Sequence, residues 1–279
     1  DEKEFDVNIS YMPWLQNLEM NDVSMTNLST YFSWNDKNTV GLNYKNFDLG
    51  EFTFTDVNGN PIGSSDVFET SISGSYAYRL TPKFTMGLGA NYFISDFGKT
   101  GTQHFRASGM TFDFGAHYQT QKEINKSLDW HWNIGLGVTN IGSKVKYTDA
   151  PGVGDYIPIN LALGVRTALE YEFPNASSLI FSGSWQLDKL LVPSPQFDGE
   201  DADLNGIEDW REYGVVKSML VSFGDAPRGT KEEFWEIIHK FGFESWFKLN
   251  EKFRFGARTG WFLEHETKGN RRLFTYGVS

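Results

Sequence analysis

From Leu128 to Val138 every even position is apolar (Leu128, Trp130, Trp132, Ile134, Leu136, Val138), while Asp129, His131, Asn133, Gly135 and Gly137 stand between them. A period of two sustained this long describes a strand with one wholly apolar face and one polar or bare face, not a helix. The same split recurs at 68–80, 84–94, 110–118, 159–171, 237–249 and 253–263. In the last of these, Phe253, Phe255, Ala257, Thr259, Trp261 and Leu263 alternate with Arg254, Gly256, Arg258, Gly260 and Phe262. Weaker alternation at 5–11, 24–35, 39–47, 178–188, 213–223 and 270–279 brings the expected count to thirteen strands.

Strands of ten or more residues exceed the roughly five or six usual in soluble sheets and suit a tilted bilayer crossing. The connections alternate in length as well. Those at 36–38, 81–83, 121–127 and 174–177 are short, and those at 12–23, 48–65, 97–108, 141–157 and 189–212 are long. Short periplasmic turns facing long outer loops are the outer-membrane pattern. The expected fold is therefore all-β: a transmembrane antiparallel β-barrel occupying residues 1–279 as a single domain. Such barrels close on an even number, so thirteen visible strands imply about 14 in the whole wall. After residue 212 the rhythm breaks, because 224–236 is long and Asn250-Glu251 short, which points to a miscounted strand nearby. The segment 271–279 lacks a terminal aromatic closing strand, so that strand is expected to lie outside this chain.

Composition agrees once the solvent is a bilayer. No run of 18 apolar residues occurs. The mean hydropathy of −0.42 would read as soluble, but barrel strands average their two faces and escape that test. Aromatic residues are abundant, with 24 Phe, 12 Tyr and 9 Trp beside 28 Gly. The absence of Cys excludes disulfide and thiolate chemistry. With 25 basic against 36 acidic residues and a net charge of −11, a nucleic-acid partner is excluded for want of a basic patch. The start, Asp1-Glu2-Lys3-Glu4, shows neither an initiator Met nor an apolar run, so export is expected through a signal peptide not present here. One helix is expected near 230–236, where Thr230-Lys231-Glu232-Glu233 reads as a capping box ahead of Phe234 and Trp235. It would be short, amphipathic and set at the membrane edge.

The sharpest local motif runs from Asp201 to Glu212. Asp201, Asp203, Asn205, Asp209 and Glu212 supply oxygens at positions 1, 3, 5, 9 and 12, Ile207 a carbonyl at 7, and Gly206 the turn. That spacing is a calcium loop, with Ca2+ as the expected ion. The competing reading is a solvated acidic outer loop. Asp56-Val-Asn58-Gly59-Asn60 is read as a tight turn. Asp113 with His117 and Asp129 with His131 share the polar parity, which raises a barrel hydrolase. A separation of i to i+2 spans roughly 6.5–7 Å, too far for a carboxylate to orient an imidazole directly. No HExxH, P-loop or GxSxG string occurs. No catalytic or cofactor-binding residue is assigned, and the chain is not expected to be an enzyme.

Six strings taken together carry a resemblance. They are Tyr11-Met-Pro13-Trp14-Leu15-Gln-Asn17-Leu18, Asn140-Ile-Gly142-Ser-Lys144-Val-Lys-Tyr147, Ile157-Pro-Ile-Asn160-Leu161, Lys189-Leu-Leu-Val-Pro193-Ser-Pro195, Ser222-Phe-Gly-Asp225-Ala-Pro227 and Glu264-His-Glu-Thr-Lys268-Gly-Asn-Arg271. In order and over nearly the whole chain, they resemble the PorV family of the type IX secretion system. The resemblance implies a FadL-like barrel of 14 strands in a bacterial outer membrane, with no catalytic residues. It further implies a shuttle that binds the giant translocon barrel, receives the C-terminal signal domain of exported cargo and carries it to a sortase-like attachment complex. Members carry an N-terminal plug, which this sequence does not show. Two other classes share the expected fold: a channel for hydrophobic solutes and an outer-membrane lipid hydrolase.

Overall fold

The computed structural model describes residues 3–14, 22–148, 152–175, 177–195, 201–250 and 252–279. The described residues form one antiparallel sheet of 12 strands in strictly sequential order. The strands are β1 (Glu4–Pro13), β2 (Ser24–Asn35), β3 (Asn38–Thr55), β4 (Pro61–Thr81), β5 (Phe84–Thr100), β6 (Gln103–Asn125), β7 (Leu128–Gly142), β8 (Asn160–Glu172), β9 (Ser178–Leu190), β10 (Ile238–Lys248), β11 (Arg254–Leu263) and β12 (Arg272–Val278). Between β9 and β10 lie three helices, α1 (Asp209–Glu212), α2 (Val215–Val221) and α3 (Thr230–Trp235). Among the described residues no ladder joins β1 to β12, and no helix is long and apolar enough to cross a membrane.

The strand count corrects the expectation of thirteen. Residues 213–223 form α2 and its flanks, so a strand disappears from the place where the rhythm broke. With it gone the turns fall alternately on the two sides of the sheet. The five on the inner side are brief (36–37, 82–83, 126–127, 173–177 and 249–253); on the outer side 56–60 and 101–102 are brief as well, and the longest, 191–237, holds the three helices. A second correction concerns 48–65 and 97–108. These are not loops: β3 and β4 continue as paired strands of 18 and 21 residues, and β5 and β6 as strands of 17 and 23. A crossing needs only about ten residues, so both hairpins project beyond the bilayer on the outer side. The tip at Asp56–Asn60 is the expected tight turn. Gly59 has φ +83°, and Asp56 Oδ1 accepts from the Asn58 and Asn60 N–H groups at 2.8 and 2.9 Å.

Register turns the alternation into two continuous faces. Phe32, Val40, Tyr76, Leu88, Phe114, Val138 and Leu161 stand opposite one another across seven strands. This row faces outward, and Leu88 is 63% exposed, as a lipid-facing side chain must be when no lipid is counted. Near the inner turns Trp130 and Trp132 lie 5.0 Å apart, and Tyr171 and Phe173 4.9 Å apart, forming an aromatic girdle at the interface. The opposite face is polar. Asn43 donates to Asn27 at 2.8 Å, Asn91 to Asp113 at 2.9 Å and Lys248 to Glu170 at 3.1 Å. At mid-height Ala77, Gly87, Gly115, Gly137 and Ala162 share one row. A side chain added at Gly115 or Gly137 would meet nothing nearer than a carbonyl 3.9 Å away, so this row leaves the lumen wide.

Candidate functional site

The outer rim is where strands stop and irregular chain takes over, and it gathers the residues the sequence singled out. Lys189, next to last in β9, stands at a position with lipid-facing parity, in register with Leu161. A cation there needs partners, and α3 supplies them. Its Nζ donates to Glu233 at 3.0 Å and to Glu236 at 2.6 Å. Lys268, in the turn between β11 and β12, donates to Glu232 at 2.8 Å and Glu236 at 3.0 Å. Ser194 Oγ donates to Glu236 at 2.8 Å, its N–H to Asp225 at 2.8 Å, and the Ala226 N–H to Glu233 at 2.7 Å. Trp235 stacks on His265 with ring centroids 4.4 Å apart. Glu264 holds Arg271 through two contacts of 2.8 Å. This clasp fixes α3 across the outward side of β9–β11, at the membrane edge where the helix was expected.

The capping box is not formed. The residue before α3 is Gly229 with φ +74°, without a side-chain cap, and Glu233 is drawn to Lys189 and Ala226 instead. Ion pairing at the wall outweighs local capping.

Titration follows from these contacts. Burial opposes ionisation of Glu236, but hydrogen bonds from Lys189, Lys268 and Ser194 outweigh it and hold the carboxyl below the ordinary range. Glu232 is held down by the Lys268 hydrogen bond, and Glu264 by Arg271. Asp225 moves the other way, raised by burial and then by its neighbours Glu233 and Glu236.

A second attachment lies on the lumen side. Residues 143–148 and 152–159, the described parts of an arm between β7 and β8, fold over the inner face of β5 and β6. Tyr147 donates to Ser95 at 3.0 Å, sits edge-on to Phe97 at 5.2 Å, and its carbonyl accepts from Arg106 N–H at 3.2 Å. Val145 and Asp155 bridge the arm to itself. Beneath it is a cavity of about 570 Å³ lined by Lys45, Glu69, Asn91 and Asp113 together with Tyr147 and Tyr156. The arm also grips α1. Tyr156 Oη lies 2.9 Å from the Trp210 carbonyl and 2.7 Å from that of Tyr213, and Arg211 pairs with Asp155 at 2.9 Å. Lys144 Nζ lies 4.3 Å from the centre of the Tyr156 ring and donates to the Arg211 carbonyl. Burial pushes the Tyr156 phenol up to about 12 and Lys144 down.

The candidate calcium residues come together in part. Carboxylate oxygens of Asp201, Asp203 and Asp209 lie within 4.8 Å of one another. Asp201 Oδ2 accepts from Gly206 N–H at 2.8 Å, and Gly206 has φ +86°. Asn205 turns its amide nitrogen to Asp203 at 3.0 Å and to Glu212 at 3.1 Å, while its Oδ1 accepts from the Ile207 N–H at 2.8 Å. This donor set is all oxygen, the chemistry of a hard divalent cation. The carboxylate–histidine pairs do not assemble. Asp113 accepts from Asn91 and from the Asn140 N–H at 2.8 Å, and Asp129 from Gln121 at 2.9 Å. His131 instead faces Glu170 at 3.6 Å.

Five of the six resembling strings converge on this rim: 140–147 and 157–161 in the arm, 189–195, 222–227 and 264–271 in the clasp. Part of the first, Leu15 to Leu18, lies outside the described residues. Lys189 with Glu233 and Glu236 was missed from sequence, although a lysine at lipid parity near the end of a strand was a visible signal.

Membrane-length strands, alternate faces, short inner turns and an elaborated outer rim define a bacterial outer-membrane β-barrel protein. A family model described as "Type IX secretion system protein PorV" matches residues 1–197. The chain belongs to the PorV family and is thereby an outer-membrane component of the type IX secretion system, a family of secretion components. No curated protein matches it. Among solved structures it is similar to the ferric enterobactin receptor of Pseudomonas aeruginosa, at 12% identity and TM-score 0.35, covering 99% of this chain and 41% of that one. It thus spans under half of that receptor's length. The toluene transporter of Ralstonia pickettii follows at 11% and 0.39, covering 99% and 79%. A bacterial polysaccharide outer-membrane secretin gives 9% and 0.34, covering 99% and 95%.

Proposed function

We propose that this protein is a cargo shuttle: residues 1–279 act as one barrel that docks on the giant translocon, receives the C-terminal signal domain of a secreted protein at the cell surface and delivers it to the sortase-like attachment complex. The observation that carries this reading is the outer rim. Loops far apart in sequence are fastened into one platform by the clasp at Lys189 and the grip of Tyr156 on α1, while the inner turns hold only a few residues. A platform built on the outside suits capture of a macromolecule there. In this reading the loop from Asp201 to Glu212 takes calcium and stiffens the platform next to α1.

The hydrophobic-solute channel draws less support. The outer lumen cavity sets Lys45, Glu69, Asn91 and Asp113 beside Phe47, Phe93, Ile94 and Ile157, and an apolar solute lodged there would have to desolvate the charged groups. Purification of the full protein from native membranes in mild detergent tests the reading. Co-purification of a giant barrel, together with secreted proteins held through their C-terminal domains, is expected. A clean monomer carrying only fatty acid would refute the shuttle.

A further inference from the structure

A groove of about 440 Å³ opens between α3 and the outward face of β10–β12, walled by Phe234, Trp235 and Ile237 on the helix side and by Leu263 on the strand side. Register fixes its height. Leu187, His239, Leu263 and Arg272 stand opposite one another in a single row, and Leu263 ends a strand of ten residues, the length of one tilted crossing. One row further in, Trp185, Phe241, Trp261 and Phe274 are all aromatic. The groove therefore lies at the level of the outer head groups, with an aromatic wall leading from it into the hydrocarbon. Aromatics and scattered cations mark the interface of any barrel, but here α3 roofs them over and makes a concave site.

Its polar lining consists largely of donors. His239 Nδ1 accepts from the Trp185 indole N–H at 3.3 Å, and His265 Nδ1 accepts from the Thr267 N–H at 3.3 Å. A neutral imidazole that accepts at one nitrogen carries its hydrogen on the other, so both rings keep an Nε2–H, and neither has a printed partner among the described residues. Arg272 makes no ion pair among the described residues either. Its guanidinium brings a fixed positive charge and five further donors. The carboxylates nearby are already matched: Glu264 by Arg271, and Glu232 and Glu236 by Lys268. The exposed Glu266 is outnumbered by Arg272 and by Lys231, whose Nζ lies 5.2 Å from the centre of the Trp235 ring.

We propose that this groove binds the phosphate head group of an outer-leaflet lipid, with Arg272, His239 and His265 donating to the phosphate oxygens and the acyl chains lying along Trp185, Phe241, Trp261 and Phe274. The inference goes beyond the cargo reading and rests only on the barrel's place in the outer membrane. An acceptor-only anion is what a guanidinium and two imidazole N–H groups complement. A lipid is favoured over a soluble anion because the groove is continuous with the lipid-facing wall: the chains hold the head group at the site, which raises its effective concentration there.

The test titrates the full protein in mild detergent with phosphorylated lipid A, with the same lipid after enzymatic dephosphorylation, and with inorganic phosphate alone, reading bound lipid by native mass spectrometry. Wild type is expected to bind the phosphorylated lipid about tenfold more tightly than the dephosphorylated one, and the double variant Arg272→Gln, His239→Gln to lose that preference. Lys83→Gln, which removes a cation from the inner turn 82–83, should bind as wild type does, and heat-modifiable migration of the barrel should be unchanged in both variants. Equal binding of the two lipids by wild type would overturn the proposal whether or not any variant folds. So would an undiminished preference in the double variant, or displacement of the lipid by inorganic phosphate at equal concentration, which would assign the donors to a free anion. A double variant that keeps the lipid but no longer co-purifies with the translocon would overturn it too, by assigning the groove to a protein contact.

Discussion

The wall and the outer rim expose apolar side chains to similar extents, but for opposite reasons. Leu88 on the wall is 63% exposed and Leu220 on the rim 70%. Leu88 belongs to a row that crosses seven strands on the face that also carries the aromatics near the inner turns, so lipid is its solvent. Leu220 stands on the short helix α2 of the outer rim, beyond the strands, where no such row continues. The two regions are also held together differently. The wall is a ladder between strands adjacent in sequence, whereas the rim is fastened by charges 32 to 47 residues apart. Exposure therefore acquires meaning only when the medium around it is known from its neighbours.

The largest effect that would break this contrast is at the clasp. Lys189→Met leaves Glu233 and Glu236 without their shared cation and should cost about 3 kcal/mol or more locally. Proteolysis within 191–237 should accelerate while heat-modifiable migration of the barrel stays unchanged; loss of both together would show the rim and wall to be one cooperative unit. Next, Leu88→Arg places a charge in lipid and should destabilise the wall by about 2–4 kcal/mol. Val57→Arg at the fully exposed hairpin tip should leave folded yield in the membrane unchanged. Tyr156→Phe should cost about 1–2 kcal/mol at α1 by leaving the Trp210 and Tyr213 carbonyls without their donor, seen as faster amide exchange over 209–213.

Acid should act on the clasp. Glu232, Glu236 and Glu264 have folded values below the ordinary 4.5, so what they contribute is present above that pH and lost as pH falls through their depressed values. Asp225, raised above 3.8, has the opposite sign and takes up its proton first, relieving repulsion among the carboxylates. Amide exchange over 225–236 should slow slightly on mild acidification and then quicken below about pH 4.5. The smallest effect is calcium's. Its addition should slow cleavage within 201–212, and Asp201→Asn with Asp203→Asn should remove that response.

The wall was legible because a bilayer imposes a period of two. All seven strongly alternating segments coincide with strands to within one residue at either end. The same reasoning explains the misses. Above the membrane neither face of a strand need be apolar, so Thr53, Gly98 and Lys99 read as loop although their backbone continues the ladder. In 213–223, Val215, Val216, Met219, Leu220, Val221 and Phe223 are too densely apolar for either period to stand out, and the helix passed for a strand. At the rim the individual strings were visible, but the pairing of Lys189 with Glu233 joins residues 44 apart, and no local pattern encodes it.

The clasp also fixes an order of assembly. Lys189 stands near the end of β9, Glu232, Glu233 and Glu236 precede β10, and Lys268 lies between β11 and β12. The whole acidic segment between β9 and β10 must therefore traverse the bilayer before any of these charges can meet. It has to make that passage unpaired and unfolded, because helices locked by buried ion pairs could not be threaded through. The platform is thus a product of insertion carried through β12: a barrel stalled before the β11–β12 hairpin would lack Lys268 and Arg271 and present an outer surface with its clasp unfinished.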